Sequence, residues 1–347
     1  MKSIGILEKY KSLLNLPAHT KAISLGEGNT PLIPIPRIAQ ELGGGFDLYV
    51  KYEGLNPTGS FKDRGMVAAI SEALGSGMKT VICASTGNTA ASAAAYATRA
   101  SMKAIVLIPE GKVARGKLVA SVVYGAKVIQ IKGSFDDALK LVIEITKKHP
   151  IALVNSINPY RLEGQKTAAF EIVDDLGKAP DLLCIPVGNA GNINAYAMGF
   201  DQYNKLKKSG LPQFLGVQAS GAAPLVIGKV VERPDTIATA IRIGNPARGE
   251  QALEVIRKHG GKIIAVDDKD ILATQKRLAL EGIWVEPASA AGLAGLMKEI
   301  KENRFNAKGK NIVIVCTGHG LKDPDIIEMS QPILIEPTLE MLEKAIL

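Results

Sequence analysis

Short apolar segments rich in β-branched residues recur along the chain, and most are followed by a stretch with the apolar spacing of a helix. Continuous apolar runs of this length are typical of strands buried on both faces of a parallel sheet. Strands that alternate with helices predict an α/β fold in which helices cover the sheets. The predicted strands are KTVICAS (79–85), KAIVLIP (103–109), AKVIQIKG (126–133), IALVNS (151–156), DLLCIPVGNAG (181–191), FLGVQAS (214–220), GKIIAVDD (261–268) and KNIVIVCTG (310–318).

Polar residues or glycine stand where several of these strands end, namely Ser85, Asn155, Gly188, Ser220 and Thr317. In open parallel sheets, ligands bind outside the carboxyl ends of the strands. The pattern therefore predicts a binding site built from strand-end loops before any one loop is identified.

No linker marks a domain boundary, and the segments around 50–60 and 149–160 are the candidate crossings. Two crossings without a simple boundary indicate one domain inserted into another. We expect residues 56–150 to form a small α/β domain, and residues 1–55 together with 151–347 to form the larger domain.

Composition narrows the class of protein. The 347 residues are 46% hydrophobic and 22% charged, which is typical of a globular protein with a sizeable core. The net charge is +8, yet Lys and Arg are scattered and aromatic residues are only 5%, so we expect no nucleic-acid partner. Three cysteines in apolar runs, together with the absence of a long apolar span or a signal-peptide pattern, predict a cytoplasmic protein without a membrane partner.

Lys62 follows a turn in NPTGSFKDRG (56–65) and opens a predicted helix. A lysine amine can form a Schiff base with a carbonyl when its pKa is lowered. The positive end of a helix disfavours the ammonium form and would lower that pKa. The alternative is a solvated lysine in an ordinary first turn, and this segment alone favours that alternative.

Two further loops join a strand to a helix. STGNT (85–89) presents hydroxyls and backbone N–H groups that suit a carboxylate or phosphate, although a helix cap uses the same residue types. GNAGN (188–192) has two glycines three apart, which let the backbone approach an anion closely. It lacks the Walker A lysine and the dinucleotide fingerprint, so a monophosphate fits this loop better than a pyrophosphate.

Other candidates lie at two more strand ends. Thr317 could bond a ring nitrogen or a local backbone group. His319 stands alone between glycines, and the spacing of the four histidines does not suggest metal ligands. Asn155, Ser156 and Arg161 cluster in sequence, and arginine is well shaped to bind phosphate, although a surface arginine at the start of a helix would look the same.

Taken in order, NPTGSFKDRG, STGNTAAS, VGNAGN and CTGHGLKD closely resemble the motifs of the fold-type II (tryptophan synthase beta-like) pyridoxal 5'-phosphate (PLP) enzymes. GEGNTPLIPIP (26–36), SFKDRG (60–65) and GNPARG (244–249) resemble the threonine synthase family among them. The resemblance spans essentially the whole chain. It implies two open, twisted, mostly parallel sheets flanked by helices, with PLP in the cleft between two domains, and a homodimer.

The resemblance also implies roles for single residues. Lys62 would carry PLP as a Schiff base and serve as the catalytic base, and the neutral hydroxyl of Thr317 would leave the pyridine nitrogen largely unprotonated. The implied PLP contacts are Lys62, Asn88 at the ring hydroxyl, Gly188, Asn189, Ala190, Gly191 and Asn192 at the phosphate, and Thr317 at the ring nitrogen. The implied substrate contacts are Ser85, Thr86, Asn88 and Thr89 at the α-carboxylate, and Asn155, Ser156 and Arg161 at its phosphate.

The implied reaction is the conversion of O-phospho-L-homoserine and water to L-threonine and phosphate, the last step of threonine biosynthesis. Threonine or serine dehydratase is the nearest alternative, because its lysine often lies in SFKxRG; Asp63 and the leading GEGNTPL favour the synthase. A non-catalytic binding protein on this scaffold would be expected to have lost Lys62 or the phosphate loop. The missing fingerprint disfavours an NAD-dependent dehydrogenase.

Overall fold

The computed structural model describes residues 5–110, 115–326 and 332–347, with side chains except those of residues 115–117 and 325. The strands are β1 (Leu32–Pro34), β2 (Asp47–Tyr52), β3 (Thr80–Ala84), β4 (Lys103–Pro109), β5 (Lys127–Ile131), β6 (Ala152–Leu153), β7 (Leu182–Pro186), β8 (Gln213–Ala219), β9 (Gly261–Val266) and β10 (Asn311–Cys316). The helices are α1 (Ile6–Lys9), α2 (Pro36–Glu41), α3 (Lys62–Gly75), α4 (Asn88–Arg99), α5 (Arg115–Val123), α6 (Phe135–Lys148), α7 (Tyr160–Gln165), α8 (Thr167–Leu176), α9 (Gly191–Lys207), α10 (Pro224–Ile227), α11 (Gly249–His259), α12 (Asp268–Leu280), α13 (Pro287–Lys301) and α14 (Leu339–Ile346).

The strands form two separate sheets, which confirms the predicted α/β class. The larger sheet has the order β1-β2-β10-β7-β8-β9, and every pairing except β1 with β2 is parallel. The smaller sheet has the order β5-β4-β3-β6 and is parallel throughout. Every residue of β7 is buried, as expected for a central strand covered by helices on both faces.

The smaller sheet uses the strands between residues 80 and 153, and the larger sheet uses strands before and after them. Its last strand, β6, begins at Ala152 and so lies just beyond residue 150. The division into an inserted domain of residues 56–150 and a larger domain from 1–55 with 151–347 remains a prediction.

The apolar pattern did not predict β1 and β2, which are the antiparallel edge of the larger sheet. Two prolines flank or end the short β1 segment, and proline disfavours a central strand. In β2, the charged Lys51 interrupts the apolar run although its side chain is completely buried. Its burial depends on ion pairs that no local pattern contains.

A buried ionic cluster joins α3 to β2, to the turn after β2 and to α8. Arg64 donates from Nε to Glu53 at 2.6 Å, and from Nη1 and Nη2 to Glu171 at 2.8 and 2.6 Å. The Lys51 amine lies 3.0 Å from Glu171 Oε2, which also accepts from Arg64 Nη2. These four side chains are at most 3% exposed, and two cations balance two carboxylates. The cluster fixes the first turn of α3.

The GEGN segment (26–29) packs around this cluster. Asn29 N–H donates to Glu171 at 2.7 Å, and a Cβ added at Gly28 would lie 3.0 Å from Glu171 Oε1. Gly28 also has a φ of +85°, a conformation that favours glycine. The GEGN residues, which contribute to the family resemblance, therefore help to hold the ionic cluster and α3 in position.

A second network fixes the turn before α3. Thr58 N–H donates to Asp63 Oδ2 at 2.6 Å, and the Ser92 hydroxyl of α4 donates to Asp63 Oδ1 at 2.6 Å. Burial nevertheless raises the pKa of Asp63 to about 6, although these hydrogen bonds favour its charged form.

Within the described part of the chain, no helix combines the length and apolar character that a membrane crossing requires.

We expect Arg64→Met to lower the free energy of unfolding by about 3–5 kcal/mol, because it leaves two buried carboxylates with one cation. Arg257→Met removes the exposed pair between Arg257 and Glu250, which are 61% and 70% exposed, and should change it by less than about 1 kcal/mol. Chemical denaturation of both variants measures the difference. Equal effects would show that the cluster does not anchor α3.

Candidate active site

Lys62 is the first residue of α3, and the turn before it is attached to the end of β10. Phe61 N–H donates to Thr317 O at 2.9 Å, and Ser60 forms a bridge with Gly318. On the other side, His319 N–H donates to Gly59 O at 3.0 Å. These backbone contacts hold Lys62 beside the strand end that carries Thr317.

The Lys62 amine has the electrostatic character of a nucleophile. Burial, together with the nearby positive charge of Arg161, lowers its pKa to about 7 against an opposing effect of Glu286. The amine lies 4.3 Å from the centre of the Phe61 ring. Lys62 is only partly exposed and its amine lies against an aromatic ring, so the structure disfavours the fully solvated alternative.

The loop 85–89 follows β3 and leads into α4, as predicted. Gly87 is the N-cap residue of α4, and no side chain caps this helix. The alternative interpretation of this loop was an ordinary helix cap. Its polar side chains do not cap α4, so the structure does not support that alternative. Ser85, Thr86, Asn88 and Thr89 are all partly exposed, as residues lining an open site must be. Asn88 Nδ2 reaches both carboxylate oxygens of Glu286, at 3.2 and 3.0 Å.

The loop 188–192 follows β7, the neighbour of β10 in the larger sheet, and α9 begins at Gly191. Ala190 adopts the left-handed conformation with a φ of 61°, which turns the chain into the helix. Asn192 is buried, and its Nδ2 finds no hydrogen-bond partner among the described residues. An unpaired buried donor beside a helix N-terminus suits an anion.

Helix α7 connects this loop to α3. A Cβ at Gly65 of α3 would lie 2.8 Å from Arg161 O, and a Cβ at Gly191 would lie 3.9 Å from Leu162. Gly164 approaches still closer, because a Cβ there would lie 1.8 Å from Arg64 O. Close packing through glycine therefore brings both α3 and the start of α9 against α7.

Arg161 is 1% exposed, so the surface-arginine alternative is wrong. Its Nη1 donates to Val154 O at 3.0 Å, whereas Nε and Nη2 find no partner among the described residues. Burial lowers the pKa of Arg161 to about 10. Two unpaired donors beside Lys62 are consistent with an anion site there.

Asn155 and Ser156 lie where the sequence predicted, after β6. The Asn155 amide accepts from Ala84 N–H at 3.0 Å and donates to Ala84 O at 2.9 Å. Asn155 thus fixes the start of the loop 85–89, and its contact with a substrate remains a prediction. Ser220 lies at a strand end too, but its hydroxyl donates to Asp267 at 2.5 Å, on the loop after β9.

Sequence reasoning missed two residues of this region. Glu286, the N-cap residue of α13, is 4% exposed and contacts Asn88; burial raises its pKa. Arg248, in GNPARG, bridges two loops: its N–H donates to Asn189 O at 3.3 Å and its Nε to Ser156 O at 3.4 Å. The GNPARG motif signalled Arg248, whereas no local signal distinguished Glu286 from a surface carboxylate.

His319 is not positioned as a base. Its Nδ1 accepts from Leu321 N–H at 3.1 Å, and its ring stacks on Tyr52 with centroids 6.1 Å apart. The His319 side chain therefore helps to hold the loop after β10 in position.

Comparison with known proteins agrees with this geometry. Residues 23–318 match the family described as pyridoxal-phosphate dependent enzyme. Threonine synthase of Halalkalibacterium halodurans is 56% identical over 322 residues, which are 92% of this chain and 90% of that protein. Threonine synthase of Synechocystis sp. is 54% identical over 347 residues, which are 98% of this chain and 90% of that protein.

Solved structures share the fold at lower identity. Maize serine racemase superposes with a TM-score of 0.72 and 24% identity, covering 84% of this chain and 88% of that one. The family match and the high identity over nearly the full length decide the classification: the chain belongs to the pyridoxal-phosphate dependent enzyme family, and within it to the threonine synthases.

Proposed function

We propose that the protein converts O-phospho-L-homoserine and water to L-threonine and phosphate, with PLP attached to Lys62. The observation that carries this proposal is the position of Lys62: it is the first residue of α3, and backbone hydrogen bonds hold the turn before it against the strand end that carries Thr317. Burial of the amine lowers its pKa to about 7. The identity of 54–56% with threonine synthases supports the substrate and the product.

The residues of this site fit both ends of a PLP molecule. Lys62 supplies the amine, and the loop 188–192 supplies free helix N–H groups and the unpaired Nδ2 of Asn192 for the phosphate. Thr317, 5% exposed at the end of β10, offers a neutral hydroxyl for the ring nitrogen. Asn88, whose Nδ2 donates to Glu286, has an amide oxygen that can accept from the ring hydroxyl.

When bound, PLP stabilises negative charge at the carbon atoms next to the substrate amine. Once the substrate amine has replaced it on PLP, Lys62 would take the proton from Cα and return one to Cα before threonine leaves, and its lowered pKa would allow both transfers near neutral pH. The net change would move a proton from Cβ to Cγ as phosphate departs from Cγ, and the hydroxyl of water would add at Cβ while its remaining proton leaves with the phosphate. Lys62 is the amine placed to move these protons.

The substrate's two anionic groups require separate sites. We assign its α-carboxylate to the loop 85–89, whose side chains do not cap α4. Its phosphate is assigned to the Asn155–Arg161 segment, where Arg161 Nε and Nη2 are unpaired donors. Arg248 lies between this segment and the loop 188–192, so it can close over a bound phosphate.

We also infer a cytoplasmic homodimer. The three cysteines are free and buried, as in a reducing compartment. Leu339, Leu342 and Ile346 are 71%, 45% and 70% exposed on α14, and their spacing places them on one helical face that a second copy can cover. Light scattering should give twice the chain mass; a monomer at micromolar concentration would contradict the dimer.

Lys62→Ala should abolish both the yellow absorbance of bound PLP and the formation of threonine, because no other amine takes its place. Lys301→Ala, which changes an exposed lysine at the end of α13, should leave both unchanged. Phosphate release from O-phosphohomoserine and circular dichroism are measured on all three proteins. A Lys62→Ala protein that retained covalent PLP, trapped by borohydride, would refute the assignment.

The same assay separates the synthase from a dehydratase. Wild type should release phosphate and form threonine from O-phosphohomoserine, with little keto acid formed from threonine. Rapid keto-acid formation without threonine synthesis would favour the dehydratase instead.

The pKa of Lys62 gives a pH prediction. Since it is lowered to about 7, the amine loses its proton as the pH rises through about 7, and its reactive neutral form dominates above. Acetylation of Lys62 in PLP-free protein, followed by mass spectrometry, should increase between about pH 6 and 8 and then level off. N-acetyl-lysine amide in the same samples should continue to rise toward about pH 10. A Lys62 profile that rises only above about pH 9 would disprove the lowered pKa.

A further inference from the structure

The first turn of α13 lies directly against the strand end that carries Thr317. Glu286 N–H donates to Gly318 O at 3.1 Å, and Gly318 N–H donates to Ser289 Oγ at 2.8 Å. Val285 and His319 form a bridge next to them. Residues 286–289 and 317–318 are therefore held in one register by backbone contacts on both sides.

Within this contact, the Ser289 hydroxyl lies 2.8 Å from the Thr317 hydroxyl. The two residues are 0% and 5% exposed, so water does not compete freely for these groups. A serine hydroxyl has one proton to donate, and Ser289 Oγ already accepts from Gly318 N–H. The direction of the one Ser289 proton thus decides the direction of the Thr317 proton.

Two acceptors are available for the Ser289 proton, namely Thr317 Oγ1 at 2.8 Å and Gly318 O at 3.3 Å. The 2.8 Å contact can run in either direction, so the ligand of Thr317 decides it: a ring nitrogen that can only accept takes the Thr317 proton and leaves the Ser289 proton for Thr317. When Ser289 donates to Thr317, the Thr317 proton must point elsewhere, and Thr317 becomes a donor toward its ligand. If Ser289 instead donated to Gly318 O, Thr317 would donate to Ser289 and offer only lone pairs.

We propose, resting on the function above, that Ser289 is a positioning residue that makes Thr317 a hydrogen-bond donor to the PLP ring nitrogen. A donor at this position stabilises an unprotonated ring nitrogen, whereas an acceptor would stabilise a protonated one. Ser289 therefore contributes to the electronic state of the cofactor without touching it.

The surrounding packing supports a fixed hydroxyl at this position. Ser289 N–H donates to Glu286 O at 2.9 Å, which closes the first turn of α13. Cys316 Sγ lies 3.8 Å from Ser289 O. With its backbone bonded on both sides, Ser289 holds Oγ within reach of Thr317.

The test compares Ser289→Ala with Ser71→Ala. Ser71 is a matched control, because it is also 0% exposed on a helix and its hydroxyl also accepts from a backbone N–H, that of Ile23 at 3.1 Å. Each protein is loaded with PLP labelled with ¹⁵N at the ring nitrogen. The NMR shift of that nitrogen, the absorption maximum and the dissociation constant of PLP are measured.

We expect the wild type and Ser71→Ala to give the same ¹⁵N shift, typical of an unprotonated nitrogen that accepts a hydrogen bond. Ser289→Ala should move the ¹⁵N resonance and weaken PLP binding by about 3–10-fold, the effect of one hydrogen bond. In a Thr317→Val background, Ser289→Ala should have no further effect on the shift, because the two act through one contact.

The outcomes distinguish a failure of the proposed function from a failure of the proposed role of Ser289. A wild type that binds no PLP would overturn the proposed function itself. A wild type that binds PLP with a protonated ring nitrogen, or a Ser289→Ala shift equal to that of Ser71→Ala, would overturn the role of Ser289 and leave the function standing. Thermal unfolding of the PLP-free variants verifies that each protein is folded.

Discussion

The position of the reactive amine depends on a buried set of charges two residues along the chain. Arg64 binds Glu53 and Glu171 in bidentate geometry, and Lys51 completes the charge balance. Removing such charges from water costs several kcal/mol per ion, so the cluster is weak as a source of net stability. Its value lies in geometry, because few arrangements of β2, α3 and α8 satisfy all its donors and acceptors.

Two equally buried arginines of this region, Arg64 and Arg161, have opposite shifts in pKa. Ion pairs with Glu171 and Glu53 raise the pKa of Arg64 despite its burial. Arg161 is equally buried but pairs with no carboxylate among the described residues, and its pKa falls to about 10. Its unneutralised charge helps to lower the pKa of Lys62. Arg64, which is paired, holds α3 in position, and Arg161, which is unpaired, helps to lower the pKa of Lys62.

The sequence predicted the parts of this protein that repeat a local pattern. Eight strands were predicted from continuous apolar runs, and the loops after β3, β7 and β10 were predicted from glycine and small polar residues at strand ends. Strand β2 escaped prediction, because the carboxylate that pairs with the buried Lys51 lies far away in sequence. The contacts of Glu286 and Ser289 escaped for the same reason, since they form only when α13 meets the start of α4 and the end of β10.

Long-range contacts also explain why the site carries unsatisfied groups. A buried donor without a partner costs about 1–3 kcal/mol, and Arg161 and Asn192 both present such donors. Close packing of α7 against α3 and against the start of α9 helps to hold these donors in position. Anions that pair with them remove this cost, and binding to the folded state alone then stabilises the fold. The ionic cluster at Arg64 holds α3 in position while these donors are unpaired. The stable cluster therefore allows the site to keep unpaired donors available for its ligands.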